Sequence, residues 1–209
     1  MSSILLVTSS PRAGASISTR TATKLAERIA ASRPGTKITR RDLATAPLPH
    51  IDGDFLGGLF SPEDQRNVAQ QTLVDVSDQA VEELLAADTV VIAAGMINFS
   101  IPSALKSWFD YVARAGKTFR YSESGPEGLV KGKRVYVILA SKGIYTNGGP
   151  AAPMDHARPY LNTMLGFLGM TDIEFIDIEG VGLGLEPDED IIGRAETRID
   201  RAADPAWAA

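Results

Sequence analysis

The sequence predicts an α/β fold: a doubly wound parallel sheet of five strands with helices on both faces. Three observations predict it. A short apolar strand runs into a small-residue loop and then a helix three times, at Ile4–Val7, Val90–Ala94 and Val135–Leu139. The first two strands are continuous apolar runs, the signature of parallel strands covered on both faces. Strand-like and helix-like patterns then alternate along the whole chain, which with right-handed crossovers closes into one parallel sheet.

Taken in order, Ile4–Val7 is a central strand, and Ala22, Leu25, Ala26, Ile29 and Ala30 form the buried stripe of the helix after it. Ser16 or Ser18 is its candidate N-cap, and Pro34-Gly35 ends it. Lys37–Arg40 alternates like an edge strand. A second helix is expected from Ser61-Pro62-Glu63-Asp64, with a serine cap, proline in the first turn and acids facing the helix dipole, to about Ala86. Val90–Ala94 is buried; a helix from near Ser100 to Arg114 carries Leu105, Trp108, Phe109 and Val112. Arg134–Leu139 is interior, a helix carries Tyr160, Leu161, Met164, Leu165 and Leu168, Ile173–Ile178 alternates like the other edge, and a last helix follows Pro187. Strand order 2-1-3-4-5, the flavodoxin-like solution, puts the switch point between strands 1 and 3, where ligands bind beyond the carboxyl ends. Segments 44–60 and 115–131 exceed ordinary connections and read as insertions that shape a site or interface. Residues 1–209 are expected to form one domain.

Composition narrows the chemistry. With no cysteine, thiolate metal sites, disulfides and thiol redox chemistry are excluded, so any redox activity requires a bound cofactor. The net charge of −5 with scattered basic residues argues against nucleic acid as a partner. No apolar run approaches membrane-span length and no secretory signal is read at Met1-Ser2-Ser3, so a cytoplasmic location is expected. His50 and His156 lie far apart without metal-ligand spacing, and no metal is expected.

The three loops carry the candidate chemistry. Ser9, Ser10, Ser16, Ser18 and Thr19 surround a single Gly14, without the Gly-x-Gly-x-x-Gly of dinucleotide folds. Hydroxyls beside a helix N-terminus suit one terminal phosphate, although serines that merely cap a helix give the same pattern. Met96-Ile97-Asn98-Phe99 sets an amide between apolar residues, which suits the polar edge of a flat ring or an ordinary turn. Ala140-Ser141-Lys142-Gly143 offers a hydroxyl, a cation and a glycine for close backbone approach. Gly116-Lys117-Thr118 follows a helix rather than a strand and lacks the earlier P-loop glycine, so it is not a phosphate loop.

As a set these residues resemble the FMN-dependent NADH:quinone oxidoreductase and azoreductase family. The resemblance runs from Ile4 to about Gly180 and is strongest over Met96–Lys106, Trp108–Tyr121, Gly125–Leu129, Pro159-Tyr160-Leu161 and Leu165–Gly169. It implies FMN with its phosphate on Ser10, Ser16, Ile17 and Ser18, and its ring against Met96, Ile97, Asn98, Phe99 and Ala140, Ser141, Lys142, Gly143. It also implies NADH or NADPH as donor, a quinone or azo acceptor, and a homodimer whose flavin sites lie at the interface. Hydride transfer through the flavin requires no catalytic side chain. Phe119, Tyr121 and Phe167 are the candidates for stacking on nicotinamide or acceptor, with interface packing as their other role. The chain departs from the family pattern at Gly95, where proline is usual, at Ile97 for an aromatic, at Ala140-Ser141-Lys142-Gly143 for Ser-Arg-Gly-Gly, and at Tyr145 for histidine. A non-enzymatic flavin carrier and a phosphodiester hydrolase are the alternatives, the latter weakened by the lack of a nucleophile or metal cluster.

Overall fold

The structure, a computed structural model, describes residues 2–204. Strands β1 (Ser3–Thr8), β2 (Lys37–Asp42), β3 (Thr89–Gly95), β6 (Arg134–Ser141) and β7 (Asp172–Glu179) form a parallel sheet in the order β2-β1-β3-β6-β7. Counting these five in sequence order, this is the expected 2-1-3-4-5. The central strands are almost wholly buried, whereas β2 and β7 are half-buried and carry charges such as Arg40, Arg41, Glu174 and Asp177, which suit exposed edges.

Successive strand residues point to opposite faces, so Ile4 and Leu6 serve one core while Leu5 and Val7 serve the other. The first face is covered by α1 (Ile17–Ser32) and α6 (Asp188–Ala203), through Leu25, Ile29, Ile191 and Ile199. The second is covered by α3 (Val68–Ala86), α4 (Ser103–Val112) and α5 (Ala157–Leu168), through Leu84, Trp108, Phe109 and Leu161.

Three segments differ from the sequence reading. The helix expected from Ser61 begins at Val68: Pro62 is extended, Glu63–Gln65 is a short 3-10 turn, and the true start is an Asn67–Gln70 capping box. Segment 44–60, read as an insertion, contains a helix of its own, α2 (Gly53–Phe60), capped by the Asp52 carboxylate on the Phe55 N–H. Its Phe55 stacks on Tyr111 with centroids 4.3 Å apart. Segment 115–131 holds an antiparallel hairpin, β4 (Phe119–Ser122) with β5 (Gly125–Gly128).

Gly116-Lys117-Thr118 is a turn after α4, as the sequence requires of a non-P-loop. Thr118 Oγ1 accepts the Arg114 N–H and donates to the Val112 carbonyl, while Lys117 and Arg114 both reach Asp78 at 2.8 Å. Burial opposes the Asp78 charge, but Lys117 and Arg114 outweigh it and hold the carboxyl below its ordinary range. A depressed folded pKa adds stability that is present at neutral pH and lost as pH falls through the folded value. Asp78→Asn should therefore lower the urea midpoint at neutral pH, and the gap to the wild type should close in acid below the ordinary carboxylate range. A gap independent of pH would remove this assignment.

Candidate functional site

The site lies beyond the carboxyl ends of the central strands, on either side of the switch point between β1 and β3. Its first wall is the β1–α1 loop. Ser9 Oγ donates to the Ala93 carbonyl at 2.8 Å, tying the loop to β3, and Ala13 takes an unusual φ of 46° to open a 3-10 turn that leads to α1. Ser16 occupies the N-cap position but does not cap; its Oγ lies 3.0 Å from Ser18 Oγ. The serines therefore do not serve as the expected caps. The N–H groups of Ile17, Ser18 and Thr19 have no partner among the described residues, so three N–H donors, and the one hydroxyl proton that the Ser16–Ser18 pair leaves over, stay available for an anion.

The second wall follows β3. Met96 N–H donates to the Ala140 carbonyl at 2.7 Å, and Ile97 and Ser100 exchange both backbone hydrogen bonds across Asn98 and Phe99. With φ of 47° and 70°, these two residues have the signature of a type I′ turn, which explains asparagine at the first position. Phe99 has no such preference and is held in strain, its carbonyl accepting the His156 N–H at 2.9 Å. Ile97, Asn98 and Phe99 are all exposed.

The third wall follows β6. Ser141 Oγ donates to the Gly143 carbonyl at 2.8 Å, and Lys142 is exposed. A Cβ on Gly143 would stand 2.8 Å from the Tyr145 ring. The glycine makes room for this ring within the loop itself.

A cavity of about 370 Å³ opens between the walls, within the size range of small-molecule sites. Of the twelve cofactor candidates, Ser10, Ser16, Ile17, Ser18, Met96, Ile97, Ala140, Ser141 and Lys142 border it; Asn98, Phe99 and Gly143 do not. Sequence reasoning did not name Pro11, Arg12, Gly95, Pro102, Ile178 and Val181 as lining residues. Ile178 and Val181 follow from the same rule applied to the last strand, since β7 also ends at this edge. Arg12 was legible as a cation inside the first loop. Phe119, Tyr121 and Phe167 come together in a cluster, with Phe119 to Phe167 centroids 4.6 Å apart and Phe119 to Tyr121 5.6 Å, but none of the three borders the cavity. A larger cavity of about 560 Å³ lies at the opposite sheet edge, around Asp88, Lys133 and Arg134 at the amino ends of the strands, away from the three loops.

His50 and His156 are exposed, and His50 Nδ1 lies 3.2 Å from Ser107 Oγ. No group of three or more His, Cys, Asp or Glu among the described residues could hold a metal ion, and no described helix is long and apolar enough to cross a membrane.

A 2-1-3-4-5 parallel sheet with a cavity among the loops beyond its carboxyl edge defines a flavodoxin-like fold. The sequence profile of the flavodoxin-like fold matches residues 2–202. The chain is 56% identical to FMN-dependent NADH:quinone oxidoreductase 1 of Rhizobium etli over 97% of this chain and 98% of that protein. It is 50% identical to the FMN-dependent NADH:quinone oxidoreductase of Agrobacterium fabrum over 99% of this chain and all of that one. A crystal structure of an FMN-dependent NADH-azoreductase from Bacillus anthracis in complex with FMN superposes with a TM-score of 0.89 at 28% identity, covering 97% of this chain and 98% of that one. The chain belongs to the FMN-dependent NADH:quinone oxidoreductase family of flavodoxin-like proteins.

Proposed function

We propose that this chain is a cytoplasmic, homodimeric, FMN-dependent NAD(P)H oxidoreductase that reduces quinones, and azo compounds as well, by two electrons. The observation that carries the reading is the uncapped start of α1. Free N–H groups at Ile17, Ser18 and Thr19, with the hydroxyls of Ser10, Ser16 and Ser18, fit a phosphate monoester, and no glycine fingerprint for a pyrophosphate accompanies them. FMN fits this donor set, and the apolar floor of Met96, Ile97 and Ala140 fits its ring.

When bound, FMN supplies the two-electron relay, so that NAD(P)H, a proton and a quinone become NAD(P)⁺ and a hydroquinone. The chain's own residues bind and orient. Ser10, Ser16 and Ser18 would hold the phosphate, Met96 and Ile97 would line the ring, Asn98, on the turn just outside the cavity, would reach towards its polar edge, and Ser141 and Lys142 would close the opposite wall. Phe119, Tyr121 and Phe167 belong to the substrate side of the site through a second copy of the chain. Tyr121 is 75% exposed, and with the exposed Ile97, Phe99 and Met154 it leaves aromatic and apolar surface that a two-fold interface would cover.

Donor and acceptor use one pocket in turn, so double-reciprocal plots should be parallel; intersecting lines would contradict a shared pocket. Asn98→Gly keeps the left-handed turn but deletes the amide, and FMN affinity should fall about five- to a hundred-fold. Asn98→Ala should lose the same amide and strain the turn as well. Wild-type FMN affinity in Asn98→Gly would reduce Asn98 to a turn former.

A further inference from the structure

The cavity is bordered by cationic charge alone in a chain of net charge −5. The charged residues bordering the cavity are Arg12 and Lys142, and no carboxylate borders it. Most other described cations are committed elsewhere: Lys24, Arg41, Arg114, Arg134 and Arg158, for example, all sit in ion pairs. Arg12 and Lys142 are exposed, and neither side chain is hydrogen-bonded or ion-paired to a described residue. Glu179 lies in register beside Ser141, but its carboxylate accepts the N–H groups of Tyr145 and Thr146 and the Thr146 hydroxyl. It forms no ion pair with the Lys142 ammonium.

The two cations stand at different ends. Arg12 belongs to the β1 loop beside the anion cradle, whereas Lys142 follows β6, two strands away, or about 10 Å across the sheet at the usual strand spacing. A phosphate on α1 offsets the first and leaves the second. Resting on the FMN reading above, we propose that Lys142 is a specificity-determining residue that favours substrates carrying an anionic oxo group, such as a sulfonate, carboxylate or phosphate. That group can come from the acceptor or from the 2′-phosphate of the donor. An exposed ammonium in a cleft with apolar walls, here Met96, Ile97 and Val181, raises the local concentration of anions and does so less as salt screens it.

The test uses FMN-loaded protein, two acceptors and two donors. The ratio of kcat/KM for 1,4-naphthoquinone-2-sulfonate over 1,4-naphthoquinone reads the acceptor, and the ratio for NADPH over NADH reads the donor. At low salt at least one ratio should fall about fivefold in Lys142→Gln and about twenty-fold in Lys142→Glu, and the wild-type ratio should drop towards the variant's as salt rises. The ratio that moves names the source of the anion. Dissociation constants of the sulfonated and unsubstituted quinones for the oxidised holoprotein, read by flavin fluorescence, should change in the same proportion when the acceptor ratio is the one that moves. Arg12→Gln should weaken FMN itself in an apoprotein titration while shifting the substrate ratios less than twofold. Ratios that stay flat in Lys142→Glu, or an FMN affinity lowered by Lys142→Gln as much as by Arg12→Gln, would overturn the assignment. Failure of the FMN reading looks different: the wild-type chain would then neither retain FMN nor oxidise NADH.

Discussion

Gly128→Ala should destabilise the chain by about 3 kcal/mol or more, at the upper end of what overpacking costs, because the new methyl group would run into the Leu168–Gly169 backbone. A Cβ on Gly128 would lie 2.1 Å from the Gly169 nitrogen and 2.3 Å from the Leu168 carbonyl carbon. Neither atom can give way easily. Gly169 is the left-handed C-cap of α5 at φ 101°, with Met170 N–H bonded back to the Leu165 carbonyl, and Val130 N–H bonds to the Leu168 carbonyl beside it. This contact fastens the hairpin to α5 and holds Phe119 against Phe167. In a chain of this size the loss corresponds to a drop of about 6 to 12 °C in Tm. Gly166→Ala is the control: it lies within α5, a Cβ there meets nothing within 4 Å, and exchanging glycine for alanine inside a helix typically adds about 0.5 to 1 kcal/mol. Equal melting temperatures for the two variants would mean that the Gly128–Gly169 contact is not formed.

The same contact marks where sequence reasoning stopped. Gly125–Leu129 and Leu165–Gly169 both stood out as part of a family pattern, but a glycine-to-glycine contact between them leaves no local trace in either stretch. The sheet was legible because burial writes itself into every residue of a central strand: Val90 to Ala94 has no alternative to a two-sided core. Helix α2 was not legible. Three glycines in eight residues read as loop, and the helix survives through the Asp52 cap and through Gly58, whose missing side chain lets it settle against Gln70 and Val74 of α3. The start of α3 was misplaced for a related reason: a serine followed by proline and acids is a sound start signal, but the reciprocal Asn67–Gln70 bonds supply a better one six residues on. In the site, nine of twelve candidates border the cavity because the rule that ligands sit beyond strand carboxyl ends depends on topology alone. Asn98 was chosen for its amide, yet its backbone angle supplies a second and independent reason for asparagine.

Ser16→Asp should abolish FMN retention while leaving the fold intact or firmer, and this separation makes it the most direct test of the cradle. Ser16 already has the extended φ and ψ of an N-cap, −73° and 133°, with no side-chain bond to the helix. An aspartate there is among the best N-caps: its carboxylate would accept the N–H groups of Ser18 or Thr19 and sit favourably at the positive end of α1. The helix thereby gains what the serine withholds. The same carboxylate takes the donors proposed for the phosphate and sets a negative charge against it in a pocket where Ser10, Ser16 and Ser18 are more than 90% buried. Two or three charge-assisted hydrogen bonds lost together with repulsion amount to about 3 to 5 kcal/mol, or roughly a hundred- to several-thousand-fold in affinity. The measurement pairs an FMN fluorescence titration of the apoprotein with its thermal melt. Weak binding with a lowered Tm would indicate simple misfolding, and FMN bound as tightly as in the wild type would place the phosphate elsewhere. A raised or unchanged Tm with FMN lost is the outcome expected of a helix start left uncapped so that an anion can cap it.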